Sequence, residues 1–202
     1  MKILCVGRNY SEHAKELGNA VPENPVIFSK PDTALLKNGE PFYHPDFSND
    51  IHHEIELVIK ISKMGKKIDP KFAKNYYNEI ALGIDFTARD LQTKLKEKGL
   101  PWELAKAFDG SAVIGDFTAI EGKDLSNLKF SLTKNGEMVQ QGNSAQMIFS
   151  FDEIVSFVSQ YFTLKVGDLI YTGTPAGVSK INIGDKLQGF IEGQSALTCE
   201  VK

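Results

Sequence analysis

Residues 51–61 read IHHEIELVIKI. In a β-strand successive side chains point to opposite faces. A strand here puts His53, Ile55, Leu57, Ile59 and Ile61 on one face and His52, Glu54, Glu56, Val58 and Lys60 on the other. Two glutamates at i, i+2 then lie side by side and can close on one cation. A solvated outer face is the commoner origin of such a pair, and taken alone the pair reads that way. Two observations weigh against it. The back of the strand is aliphatic past His53, and a third acid, Asp85, ends the apolar strand EIALGID just before a helix. An Asp at such a junction is ordinarily a cap or turn former. Acids at strand ends that face a helix start are also where metal sites form.

The chain has 202 residues, 42% hydrophobic and 24% charged, enough for one large domain or two small ones. No linker-like composition divides it, so one compact domain over residues 1–202 is expected. The net charge of -3 does not point to nucleic acid or an anionic membrane surface. No apolar run is long enough to span a bilayer, and MKILCVGRNY turns polar too soon for a signal peptide. Cys5 and Cys199 sit in apolar segments near opposite chain ends and read as buried reduced thiols. A cytoplasmic address is the expectation.

KILCV (2–6) reads as a short buried strand. RNYSEHAKELGN (8–19) reads as a short helix, with capping-box spacing between Asn9 and Glu12 and a stop at Gly18. Prolines keep the stretch around VIFSK extended. DPKFAKNYYN is an expected helix and EIALGIDF a buried strand. A further helix is expected at residues 88–98, with Thr87 as N-cap, Gly99 at its end and Pro101 beyond. LKFSLTKNGEMVQQG predicts a hairpin turning at Asn135–Gly136. SFDEIVSFVSQYF predicts an amphipathic helix, with Ser150 and Glu153 as a capping box and Ile154, Phe157, Val158 and Tyr161 on one face. KVGDLIYTG and NIGDKLQGF share a Gly-Asp turn feeding a strand, a spacing too short for a repeat protein. The fold class is mainly β with a few helices (α+β).

Three carboxylates without a cysteine select a hard cation, Mg²⁺, Mn²⁺ or Ca²⁺, over Zn²⁺. His52 shares the glutamate face and could add a nitrogen, whereas His53 points into the apolar side as a core histidine. HHEIE lacks the second histidine of H-E-x-x-H. Arg89 and Gln92, three apart, share a helix face, and Lys106 follows in the apolar PWELAKAF. Each alone reads as a surface group; together they suit the carboxylate and enolate oxygens of a substrate. His13 and Glu16, also three apart, allow a carboxylate to orient an imidazole, although exposed helical pairs of this kind are common. YTGTPAGV (171–178) lacks the lysine of a phosphate-binding loop and reads as a turn presenting Thr172 or Thr174.

VGRNYSEHAKE, FSKP, HHEIELVI, GIDFTARDLQ, GLPWELAKAFDG, MIFS and GDLIYTGTPAGV, in this order, resemble the fumarylacetoacetate hydrolase family. The likeness is greatest to its short, single-domain acylpyruvase and oxaloacetate-acting branch, and runs from residue 5 to about residue 190. It implies a mixed β-sandwich or β-roll, a homodimer, and a Mg²⁺ or Mn²⁺ site. Matched motif by motif, it makes Glu54, Glu56 and Asp85 the metal ligands and gives His52 no role. It assigns Arg89 and Gln92 to substrate binding and Lys106 to oxyanion stabilisation. His13 and Glu16 become a water-activating dyad on a lid spanning about residues 9–25, and Lys30 and Thr174 become pocket residues. The chain departs from the family in lacking the separate N-terminal domain of longer members. Ser144 stands where Thr is usual, and the segment after TGTPAGV is short.

The implied activity is metal-dependent hydrolysis of a C–C bond in an acylpyruvate-type 1,3-dicarbonyl 2-oxo acid. Oxaloacetate decarboxylation, keto–enol tautomerisation and 2-oxo-diacid isomerisation are the alternatives the same residues serve. A non-catalytic metal-binding protein is a remote further reading, opposed by the presence of His13, Glu16 and Lys106.

Overall fold

The computed structural model describes residues 1–16 and 20–202, and of residues 14 and 15 the backbone alone. The stretch 51–61 is two strands rather than one. β4 (Ile51–His53) and β5 (Ile55–Ile61) are separated at Glu54 and belong to different sheets. β5 lies inside the largest sheet, whose order is β2 (Val26–Lys30), β1 (Ile3–Gly7), β12 (Leu169–Tyr171), β5, β6 (Tyr77–Asp85), β8 (Ala112–Ile114) and β3 (Leu35–Lys37). β9 (Thr118–Ala119) also pairs with β6. The pairs β1/β12 and β3/β8 are parallel and the others in this sheet antiparallel, so the sheet is mixed. β4 instead joins β13 (Ser179–Lys180) and β7 (Thr87–Ala88). A second antiparallel sheet runs β11 (Glu137–Asn143), β10 (Lys129–Lys134), β14 (Lys186–Ile191) and β15 (Gln194–Glu200).

The alternation of β5 sorts its side chains between two apolar layers. Ile55, Leu57, Ile59 and Ile61 pack with Phe130, Leu132, Leu187 and Leu197 of the second sheet and with Ile154, Val155 and Val158 of α5 (Phe151–Tyr161). Full burial of each such side chain stabilises by roughly 1.5–3 kcal/mol. Val58 faces the other way, into a smaller cluster with Ile3, Cys5, Ala81, Ala112 and Tyr171. Gly83 is required there: a Cβ would lie 2.4 Å from the Tyr171 ring, which crosses the sheet and donates from its hydroxyl to Val113 O at 2.8 Å. Both cysteines are buried and free, as expected.

The predicted hairpin turns at Asn135 and Gly136, both at positive φ (55° and 86°), as an Asn-Gly turn of this type requires. The Ser150/Glu153 capping box is present at the start of α5. Tyr161 is 67% exposed, so the apolar face of α5 ends before it. The two Gly-Asp turns share their chemistry. Asp168 Oδ2 accepts from Lys165 N and Asp185 Oδ2 from Asn182 N, both at 2.8 Å.

Other expectations shift. The segment from Asp69 gives only α2 (Pro70–Ala73) and a 3₁₀ turn before β6 begins at Tyr77. The N-terminal helix is α1 (Ser11–Glu16), and Asn9 is not its cap. Asn9 Nδ2 donates to Thr172 O (2.8 Å) and Phe149 O (3.0 Å), and its Oδ1 accepts from Phe149 N (2.7 Å). The predicted stop at Gly18 lies outside the described residues. α3 (Arg89–Glu97) begins after Ala88 without a side-chain cap; Thr87 belongs to β7 and is drawn away by Glu54.

Asp168 fastens the N-terminus to the large sheet by accepting from Lys2 N (2.8 Å) and pairing with Lys2 Nζ (2.5 Å). Burial opposes its ionisation, but Lys2 and the Lys165 N–H hold the carboxyl below its usual range. Its stabilisation is therefore present above the unfolded-state value, roughly 3.9, and is lost as pH falls through the folded-state value. Asp168→Asn should destabilise by about 1–3 kcal/mol at pH 7. Urea titrations of the two proteins should converge below about pH 3.9; a pH-independent gap would exclude the ionised carboxylate as the cause.

Candidate active site

The interruption at Glu54 is what builds the site. Its carbonyl accepts from Asp85 N at 2.8 Å, and the next amide, Ile55 N, donates to Gln140 Oε1 at 3.0 Å. With the backbone held on both sides, the Glu54, Glu56 and Asp85 side chains converge, one oxygen of each within 4.8 Å of the others. Their exposures of 5%, 2% and 0% rule out the solvated-face reading.

Cations surround the acids. Lys106, at the end of α4 (Glu103–Lys106), directs all three ammonium protons inward: to Glu54 Oε2 (2.8 Å), Asp85 Oδ2 (2.6 Å) and Thr87 Oγ1 (2.6 Å). Arg89 Nη2 pairs with Glu54 Oε1, while its Nη1 donates to Gln92 Oε1 at 2.6 Å. Lys30 lies behind the triad, bonded to Lys106 O and to Ser111 Oγ (2.9 Å). Its ammonium is 2.8 Å from Asp85 Oδ1 but outside hydrogen-bonding geometry. Among the described residues Glu56 has no such partner, and it is held by Gly173 N at 2.7 Å.

The electrostatics follow from this arrangement. Burial works against ionisation of Glu54, but the Lys106 and Arg89 charges hold it well below the usual carboxylate range. Burial pushes Glu56 well above that range, helped by the Asp85 and Glu54 charges and only partly offset by Gly173 N–H. For Lys106 burial is outweighed by Asp85 and Glu54, and the ammonium is held above its usual value. A hard divalent cation fits these residues. It would meet three oxygen donors and compensate Glu56, the acid without an ion-pair partner among the described residues.

A cavity of about 30 Å³ opens onto the triad. His13, Arg89, Gln92, Lys106 and Thr174 line it, so the structure gathers most of the residues predicted from sequence; Lys30 lies outside its lining. His13 is buried, with Nδ1 3.2 Å from Glu16 Oε2. Glu16 in turn accepts from Gly177 N at 3.1 Å, fastening α1 to the loop after Thr174. His52 is excluded from the triad and pairs with Asp50 at 3.0 Å. His53 is the expected core histidine: Nδ1 donates to Gln140 Oε1 and Nε2 accepts from Ser179 Oγ, both at 2.8 Å. Burial lowers its pKa to about 4, so it is neutral there.

Sequence reasoning missed Gln140. It holds Ile55 N, His53 and, through Nε2, Thr174 Oγ1 at 2.9 Å. The signal was available: an amide at a buried register of β11, between half-buried Val139 and exposed Gln141. Thr87, Arg8, Lys96, Phe28 and Trp102 were also missed; all but Thr87 line the cavity. Arg8 carries a positive φ of 62°, a conformation costing a non-glycine residue roughly 1–3 kcal/mol.

Comparison with known proteins gives a consistent result. The family described as fumarylacetoacetate (FAA) hydrolase C-terminal matches residues 2–202. The mitochondrial oxaloacetate tautomerase FAHD1 of Bos taurus is 42% identical, covering 99% of this chain and 91% of that protein. A mitochondrial oxaloacetate decarboxylase of Dictyostelium discoideum is 43% identical, with coverages of 95% and 89%. The crystal structure of fumarylpyruvate hydrolase from Pseudomonas aeruginosa, in complex with Mn²⁺ and pyruvate, superposes with a TM-score of 0.93 at 38% identity. That match covers 100% of this chain and 89% of the other.

Proposed function

The chain belongs to the fumarylacetoacetate hydrolase family, and from that membership and its buried triad we propose that it is a Mg²⁺- or Mn²⁺-dependent oxaloacetate tautomerase, with oxaloacetate decarboxylation as the related activity. The observation that carries the reading is a charge balance. Three buried carboxylates face three cations, Lys30, Lys106 and Arg89, which cancel formally. A divalent cation leaves positive charge over, to which Arg8 and Lys96 of the same cavity add, so the site suits an anionic substrate. Residues 1–202 act as one catalytic domain in this proposal, supported by the apolar core that joins both large sheets. A homodimer and a cytoplasmic address belong to it as well. Exposed Phe47 and Leu104, near α4, offer apolar surface for a second copy, which sedimentation would check.

When bound by Glu54, Glu56 and Asp85, the divalent cation supplies Lewis-acid polarisation of the 2-oxo acid. The rest falls to the chain. Arg89 and Gln92, already bonded to each other, orient the substrate carboxylate beside the triad. Glu16 accepts the Nδ1 proton of His13, leaving Nε2 as the basic nitrogen. In tautomerisation His13 Nε2 takes the proton that leaves C3, and the imidazolium so formed returns a proton to the C2 oxygen, so none is gained or lost. Lys106 adds its positive charge where the oxygen becomes anionic. Since its three protons already have acceptors, it must release one of them to donate directly.

The C–C hydrolysis inferred from the sequence is the second reading, favoured by the dyad and by the likeness to fumarylpyruvate hydrolase. The two curated relatives favour the oxaloacetate reactions. With Mg²⁺, His13→Ala should slow oxaloacetate enol–keto interconversion by roughly 10² to 10⁴. Decarboxylation, which needs no activated water, should fall less. A wild-type protein that cleaves acetylpyruvate faster than it interconverts oxaloacetate would reverse the order of the two readings.

A further inference from the structure

We propose that Gln140 is a positioning residue that sets the polarity of Thr174, so that the Thr174 hydroxyl donates its proton to an oxygen of a bound 2-oxo acid; this rests on the 2-oxo acid reading of the cavity. Gln140 and Thr174 are 2% and 3% exposed. Thr174 lines the cavity that holds the triad, and Gln140 lies outside that lining. All four hydrogen-bonding positions of the Gln140 amide are filled. Oε1 accepts from Ile55 N (3.0 Å) and His53 Nδ1 (2.8 Å), and Nε2 donates to Pro175 O (3.0 Å) and Thr174 Oγ1 (2.9 Å).

Two of those partners decide which end of the amide is which. A backbone N–H can only donate and a backbone carbonyl can only accept, so Ile55 and Pro175 fix Oε1 and Nε2 in place. The reversed amide would set N–H against N–H and oxygen against oxygen. Thr174 Oγ1 is therefore obliged to accept from Gln140, and its own proton is left for another acceptor. Among the described residues it has none. The same logic extends outward. His53 must donate from Nδ1, which leaves Nε2 to accept from Ser179 Oγ at 2.8 Å, and Ser179 Oγ accepts from Lys134 Nζ at 3.4 Å. Every donor in the row Lys134, Ser179, His53, Gln140, Thr174 points the same way, toward the cavity. Hydrogen bonds aligned head to tail in a low-dielectric interior polarise one another. The row ends on a hydroxyl proton at a cavity lined by Arg8, Arg89, Lys96 and Lys106, and the acceptor that completes it is an oxygen of an anionic ligand.

The test is a double-mutant cycle read by calorimetric binding of pyruvate at saturating Mg²⁺. At about pH 8, Gln140→Glu presents a carboxylate, which the Ile55 and His53 N–H groups stabilise but which has nothing to donate. The Thr174 proton then turns back toward it, and the hydroxyl offers lone pairs to the ligand. Pyruvate affinity should fall roughly 10- to 100-fold, and Thr174→Val should lose as much. In the Thr174→Val background Gln140→Glu should cost no further affinity, whereas plain repulsion by the added charge would add to the loss. Thr174→Ser, which keeps the hydroxyl, should bind as the wild type does. Binding of Mn²⁺ alone should be no weaker in Gln140→Glu. In the wild type, nitrogen chemical shifts should show His53 protonated on Nδ1, a reading that holds even where Gln140→Glu does not fold. Full additivity in the cycle, a weakened Mn²⁺ site in Gln140→Glu, or His53 protonated on Nε2 would each overturn the proposal. A wild-type protein that binds no pyruvate would sink the functional reading and the proposal together, whereas pyruvate binding that survives Gln140→Glu sinks the proposal alone.

Discussion

Glu56→Ala should abolish metal-dependent turnover, by roughly 10³-fold or more, while leaving the fold intact. Among the described residues Glu56 is the member of the triad without a cation against it; it is held by a bond from Gly173 N. Its ionised form is disfavoured by burial and by two neighbouring acids, so in chelator it weakens the folded state at neutral pH. The sign follows from its raised pKa: stability is fully present below the unfolded value and declines as pH rises toward the folded one. Glu56→Gln keeps an acceptor for Gly173 and removes the charge, so in chelator it should melt at or above the wild type and show a flatter decline with pH. Added Mg²⁺ or Mn²⁺ should raise the melting temperature of the wild type and not of either variant. A variant that is still raised by the cation would remove Glu56 from the ligand set.

Lys106→Met should act oppositely on stability. The ammonium is the common partner of Glu54, Asp85 and Thr87, all buried. Deleting it leaves Glu54 with Arg89 and Asp85 with Lys30 alone, a change that costs up to about 3–5 kcal/mol, the figure for a buried pair losing one partner. Divalent cation should restore much of this, because it would replace the missing charge at the same oxygens. Activity should still fall by roughly 10²- to 10³-fold, since the positive charge at the developing oxyanion is not restored. Denaturant titrations with cation and with chelator separate the two effects. A variant as stable as wild type in chelator would show that the lysine does not compensate the acids.

Local periodicity made Glu54 and Glu56 visible in the sequence, and a hydrophobic strand ending in an acid made Asp85 visible. Strand alternation also ranked His52 with them, wrongly. The two-residue period assumes a continuous ladder, and the ladder is broken at Glu54, so positions before the break follow a different sheet. Thr87 looked like a helix cap because N-cap residues are chosen by type, while tertiary contact with Glu54 and Lys106 decided its use. Asn9 failed for the same reason: its amide serves two distant backbone segments. Gln140 and Arg8 lie far in sequence from the acids they accompany. One is betrayed only by a polar residue at an inward register, and the other by a dihedral angle that composition does not carry.

The change of sheet at Glu54 has a consequence for how the chain tolerates altered length. In an unbroken strand, inserting or deleting one residue flips every side chain beyond it to the opposite face. Here β4 and β5 hold separate registers, β4 to β13 and β7, β5 to β12 and β6. A one-residue change before Ile51 can be absorbed by the small sheet without turning Leu57 and Ile59 out of the core. The same change between Ile55 and Glu56 would send Glu56 into the apolar layer and Leu57 toward the acids. The carboxylates thus sit at the joint that insulates the catalytic wall from drift in the loop ahead of it.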